Sequence, residues 1–101
     1  MKVVLTERAI DDLIGIGRYI GRDSPARSAG FVAELEARCL TLADMPRGYP
    51  LLPGHEASGL RRRPYRDYLI VYRVDARDER IEVIRILSGS RDIDAILFPD
   101  D

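Results

Sequence analysis

Three β-favouring runs in close order, Leu60 to Arg63, Tyr68 to Val74 and Ile81 to Leu87, constrain this chain more than any other feature. The links between them are far shorter than the dozen or more residues a parallel crossover needs, so the runs must form an antiparallel meander. Side chains alternate between faces along a strand, so the two turns also fix which residues share a face. With "PYRD" as the first turn, Arg63 lies opposite Tyr68, Arg62 opposite Leu69, Arg61 opposite Ile70 and Leu60 opposite Val71. With "DARDER" as the second connection, Val74 lies opposite Ile81, Arg73 opposite Glu82, Tyr72 opposite Val83, Val71 opposite Ile84, Ile70 opposite Arg85 and Leu69 opposite Ile86. One face then reads Leu60, Leu69, Val71, Ile84 and Ile86, with Arg62 at one end and an Arg73–Glu82 pair at the other, and is expected to be the core. The other reads Arg61, Arg63, Tyr68, Ile70, Tyr72, Val83 and Arg85. Arginines beside aromatics are enriched at protein interfaces, so this second face is expected to bind a partner.

The N-terminal half supplies what covers the core face. "KVVL" is a short β run ended by Thr6, a suitable cap for a helix whose first turn holds Glu7. Ala9, Leu13, Ile16 and Ile20 then recur at helical spacing, with Arg8, Asp11, Asp12 and Arg18 on other faces. "GRDSP" breaks the pattern, and Ser24 followed by Pro25 predicts a second helix from about Pro25 to Ala43. Its apolar set of Val32, Leu35, Cys39 and Leu42 pairs it with the first helix as an α-hairpin. The stretch "DMPRGYPLLPGHEAS" is an irregular connection. The expected fold class is α+β: a short N-terminal strand, an α-hairpin, then a three-stranded antiparallel meander with the helices on one face.

A length of 101 residues, 46% of them hydrophobic, suffices for one core, so residues 1–101 are expected to form one domain. The net charge of −1 gives the whole molecule no attraction to nucleic acid, yet the segment from Arg61 to Arg73 sets five arginines against Asp67 alone. Any basic function is therefore local. No apolar run is long enough to span a membrane, and "MKVVLTERAID" becomes charged too early for a signal peptide, so a cytoplasmic location is expected.

Chemistry is poorly supplied. Cys39, the only cysteine, sits in an apolar helical stripe and is read as a buried, inert thiol. "GIGRYIG" has the wrong spacing and the wrong setting for a dinucleotide fingerprint, and its glycines are expected to serve close helix packing. His55, the only histidine, lies in the Pro-rich loop with no nucleophile beside it and is read as a surface residue. The acidic residues of the helices show no carboxylate dyad, and no metal-ligand spacing appears. Neither a cofactor nor a metal is expected.

The run "GLRRRPYRDYLIVYRVDARDERIEVIRILSGSRD" resembles the ParE/RelE superfamily of toxins from bacterial toxin-antitoxin systems, the ParE branch most closely. "AIDDLIGIGRYI" is similar to the family's first helix, "SPARSAGFVAELEARCLTLADMP" to its second, and "LSGSRD" to its closing Arg-Asp motif, which adds Arg91 to the expected binding set. The resemblance implies a growth-inhibiting toxin neutralised by a co-encoded, ParD-like antitoxin whose flexible C-terminal segment wraps it, with operator DNA reached only through that antitoxin. In the ParE branch the implied target is DNA gyrase, and in the RelE branch the activity is ribosome-dependent mRNA cleavage. An inactive relative that only binds antitoxin and represses its operon is a third reading. For cleavage, Arg61, Arg63 and Arg85 could hold a phosphate, but the motif that often carries histidine in relatives has Ser88 here, which leaves Glu56 and the tyrosines to move protons. The gyrase reading asks for no proton chemistry. The expected antitoxin- or target-binding residues are Arg61, Arg63, Tyr68, Tyr72, Arg85 and Arg91. "DIDAILFPDD" is expected to form a short helix or covering tail anchored by Ile93, Ile96, Leu97 and Phe98.

Overall fold

The computed structural model describes residues 1–100. Strand β1 (Lys2–Leu5) leads into α1 (Glu7–Gly21) and α2 (Pro25–Leu40), and the meander follows as β2 (Arg61–Tyr65), β3 (Tyr68–Asp75) and β4 (Arg80–Ser88). A short helix, α3 (Ile93–Leu97), comes last. The caps are those the sequence predicts. Thr6 accepts a hydrogen bond from the Ala9 N–H at 3.2 Å, and Ser24 accepts one from Arg27 at 3.2 Å with Pro25 opening the helix. The expected extension of α2 to Ala43 is a tighter 3-10 turn over Thr41–Asp44.

The expected α+β architecture is present, and the N-terminal strand completes it. β1 runs parallel to β4, giving a four-stranded mixed sheet in the order β1-β4-β3-β2. The α-hairpin packs on one face through Ala9, Leu13, Ile16, Leu35, Cys39 and Leu42. The two helices approach closely at Gly17, where a Cβ would lie 3.2 Å from Val32 Cγ2, and Ser28 Oγ donates to the Gly17 carbonyl at 2.5 Å. Gly21 also faces Ser28, but Gly15 faces open space, so close packing explains two of the three glycines.

The expected faces are corrected in two ways. First, the β2–β3 turn contains only Arg66 and Asp67, with Arg66 at φ 52°, so Arg61 lies opposite Tyr72 and Arg63 opposite Ile70. This shift of two residues preserves parity: Arg61, Arg63, Ile70 and Tyr72 do share a face. Second, β4 bulges. Tyr72 faces Val83 but Val71 faces Arg85, leaving Ile84 as the extra residue, so Ile86 joins Val83 on one face and Arg85 falls with Val71 on the other. Arg61 and Arg85 are therefore on opposite faces.

The face read as open is the core: Ile70, Tyr72, Ile81 and Val83 are 0% exposed and pack under the helices. The opposite face is covered as well. Val71 and Leu87 on it and Leu52 from the loop are buried outside the helix-side cluster, and half-buried Ile93, Ile96, Leu97 and Phe98 anchor the C-terminal segment as expected. A sheet buried on both faces reads as a continuous apolar run, here "YLIVY", so hydrophobic alternation cannot choose between its sides.

Asp12 on α1 fastens helix to sheet beyond the end of β1. Its carboxylate accepts from Arg85 Nε at 2.8 Å, Arg85 Nη2 at 2.9 Å and the Ile86 N–H at 2.9 Å. The expected Arg73–Glu82 pair forms at 2.7 Å and holds the Glu82 carboxyl below its ordinary range. Its stabilisation is therefore present at neutral pH and is lost as pH falls through that lowered value.

Asp12→Ala should lower stability in urea denaturation by about 2–3 kcal/mol, below the 3–5 of a fully buried pair because both side chains retain some exposure. Asp12→Leu combined with Arg85→Leu should recover part of that loss, since no charge is left unpaired. A midpoint unchanged by Asp12→Ala would show that the clamp is dispensable.

Candidate functional site

Four of the six residues expected to bind a partner are tied to internal partners. Arg61 Nη1 donates to the Tyr49 carbonyl at 2.7 Å and the Arg47 carbonyl at 3.4 Å. Arg63 Nη1 donates to the Arg38 carbonyl at 2.7 Å and to Thr41 Oγ1 at 2.8 Å, and its guanidinium lies 5.0 Å from the Tyr49 ring centroid. The Arg38 carbonyl lies in the last turn of α2, where a cation is also favoured by the helix dipole. Tyr72 is fully buried and donates its hydroxyl to the Pro46 carbonyl at 2.9 Å; burial pushes its pKa up, and nearby Arg61 opposes that. Arg85 is committed to Asp12, whose hydrogen bond raises its pKa.

Tyr68 and Arg91 are placed differently. Tyr68 is half-buried, its ring centroid 5.6 Å from that of Phe31, and burial followed by the nearby Tyr19 raises its pKa. Arg91 is exposed just after β4. Both line surface grooves. Of the improvised proton carriers, Tyr65 donates to Glu34 at 2.5 Å, and Glu56 accepts from the Gly54 N–H at 3.2 Å. His55 is not a freely exposed residue: its ring stacks on Phe98 at 4.0 Å and its Nε2 lies 3.5 Å from Asp94, fastening α3 to the long loop. Cys39 is buried, and desolvation pushes its thiol up to about 12. Among the described residues, no three His, Cys, Asp or Glu side chains meet as a metal site.

One surface escaped the sequence reading. A groove of about 700 Å³ runs along the α-hairpin, lined by Leu5, Ile10, Ile14, Ala29, Val32 and Leu40, with Glu36 as its charged member. Ile10, Ile14 and Leu40 are 46%, 48% and 50% exposed. The signal was present in the sequence: Ile10 and Ile14 form a second i, i+4 pair beside the Ala9–Leu13 stripe, and a single amphipathic face does not need both. At Leu5 this groove meets β1, the outer strand of the sheet on that side. The opposite edge is closed. Arg62 donates its N–H to the Pro50 carbonyl, Leu52 donates to the Leu60 carbonyl, and Pro64 has no N–H to offer.

Helices, sheet and apolar groove together define a small α+β protein with an open groove along its helical hairpin. The chain belongs to the family described as ParE toxin of type II toxin-antitoxin system, parDE, whose model matches residues 3–93. Its fold is similar to a solved chain of the chromosomal ParDE TA system from P. aeruginosa, with a TM-score of 0.73 and 20% identity over 87% of this chain and 95% of that one. No curated protein matches.

Tyr72→Phe should destabilise the fold by about 1–2 kcal/mol in denaturant titration, because the Pro46 carbonyl loses its donor, while leaving partner affinity unchanged. A change in affinity at unchanged stability would return Tyr72 to the binding surface. Cys39 should react with a thiol reagent only in denaturant; rapid labelling of the native protein would contradict its burial.

Proposed function

We propose that this ParE-type toxin is neutralised by a ParD-like antitoxin seated in the α-hairpin groove, and that its target is DNA gyrase. The exposed Ile10–Ile14 pair carries the reading: an apolar groove beside an unpaired strand edge suits an amphipathic segment that lays down apolar anchors and continues as an added strand. The cytoplasm, where the chromosome and its topoisomerases are found, is the corresponding site of action, and operator DNA is reached only through the antitoxin.

The engagement of the arginines supports gyrase over mRNA cleavage. A cleavage site built on Arg61, Arg63 and Arg85 would have to take them from the Arg38 carbonyl, the Arg47–Tyr49 segment and Asp12. Withdrawing a charge-assisted hydrogen bond costs roughly 1.5–3 kcal/mol where the pair is part-buried, as for Arg61 and Arg85, and less for the exposed bonds of Arg63. Docking on gyrase requires none of these rearrangements.

Ile10→Asp with Ile14→Asp should weaken binding of the antitoxin encoded in the adjacent reading frame about 10-fold or more by calorimetry, since each side chain, already half-buried, forfeits about half of the roughly 1.5–3 kcal/mol of full apolar burial. Unchanged affinity would move the antitoxin elsewhere. Pulse labelling after tightly controlled induction without antitoxin should show DNA synthesis falling before translation. The reverse order would favour ribosomal mRNA cleavage, and no fall in either would indicate a relative retained for operon repression.

A further inference from the structure

The α-hairpin groove carries a single charge, and its position matters more than its number. Glu36 is exposed on α2, and Val32 and Leu40, one turn before and one turn after it, line the same groove. The carboxylate therefore stands within the apolar surface and not beyond its end. Ser28 is the only other polar side chain in the lining, and its hydroxyl already donates to the Gly17 carbonyl at 2.5 Å.

Nothing in the fold neutralises Glu36. Among the described residues, no cation lies within ion-pair distance of its carboxylate. Arg38, two residues on, turns to another side of α2 and lies over the Tyr65 ring at 5.1 Å, while Arg63 donates to the Arg38 carbonyl and to Thr41. On α1, the exposed charges around Ile10 and Ile14 cancel in number, Glu7 and Asp11 against Arg8 and Arg18. In the free protein water solvates the carboxylate. A segment that covers Ile14, Val32 and Leu40 strips that water away, and an ionised carboxylate is costly to desolvate unless an opposite charge meets it.

We propose, building on the antitoxin reading of this groove, that Glu36 is its specificity-determining residue and selects an amphipathic segment that brings a lysine or arginine one helical turn from its apolar anchors. The anchors seat against Ile10, Ile14 and Leu40, and the cation reaches Glu36 between them. Apolar burial supplies affinity to any amphipathic helix, so it discriminates poorly among partners. The carboxylate supplies the discrimination: a segment with an acid at that position meets like charge, and one with an apolar residue there leaves Glu36 buried and unpaired.

The test is calorimetry of the full-length protein with the antitoxin encoded in the adjacent reading frame. Glu36→Gln keeps the shape and removes the charge, so the direction of its effect is diagnostic. Loss of a paired cation should weaken binding about 10-fold or more, the low end for close charge pairs across an interface. A carboxylate desolvated without a partner would give tighter binding on the same substitution, and one left in water would give no change; either result overturns the proposal. Glu36→Lys should weaken binding further, and changing one lysine or arginine of the antitoxin's C-terminal segment to glutamate should restore part of the loss. Failure of every such reversal would also overturn it. Both variants should keep the parent's urea midpoint, since the Glu36 side chain is exposed and makes no ion pair. If Ile10→Asp with Ile14→Asp weakens binding while Glu36→Gln does not, the groove reading stands and the charge selection fails. If neither changes affinity, both fail.

Discussion

The carboxylate of Asp12 is the interaction on which the sheet's arrangement depends. β1 is four residues long and stops pairing with β4 at Leu5, so the rest of that β4 edge needs other partners. Thr6 donates its hydroxyl to the Ile84 carbonyl, and nearly two turns of helix later Asp12 takes the Ile86 N–H together with Nε and Nη2 of Arg85. The bulge, at Ile84, coincides with the first of these contacts and immediately precedes the second. It places Ile86 under the helices and leaves Arg85 free to reach α1, so a polar clamp on the edge and an apolar core on the face arise from the same extra residue. A bidentate arginine–carboxylate pair suits this junction because its planar geometry fixes direction as well as proximity.

The elements were legible in the sequence because local signals governed them. Thr6, Ser24 and Pro25 mark helix starts through their own backbone chemistry, and the meander follows from link length alone. Which face the helices cover was not legible. "YLIVY" is apolar at every position, and the two faces differ in what lies over them, the α-hairpin on one and the loop with α3 on the other. Those covers lie up to sixty residues away in sequence, and no periodicity within β3 reports on them. The bulge was equally hidden, since the contact it permits is made by Asp12, a residue that looks like an ordinary solvated acid in α1.

The site reading failed for a related reason. Arginines beside aromatics point to an interface, which is why Arg61 and Arg63 are expected on an open face, but a long side chain at the end of a core face can lie along apolar surface and place its guanidinium on carbonyl oxygens. Arg61 and Arg63 do this. Lys2 is the chain's only lysine, and the preference for arginine fits the work done inside the fold: five planar donors can serve a carbonyl, a hydroxyl and an aromatic face at once, where an ammonium group serves as a point charge.

The alternation that misleads about faces nonetheless separates two populations of arginine. In β2, Arg61 and Arg63 point under the helices and are consumed by structure, while Arg62 between them lines a surface groove together with Arg66 from the turn. A strand that must both hold α2 and present charge at its end can do so only by alternating, and Pro64 continues the outer row without adding an N–H for an aggregating strand to use. The triplet of arginines with which β2 begins is thus neither a single patch nor a single clamp. Its odd members close the molecule and its even member faces outward, so a charge count over the segment overstates what any partner can reach.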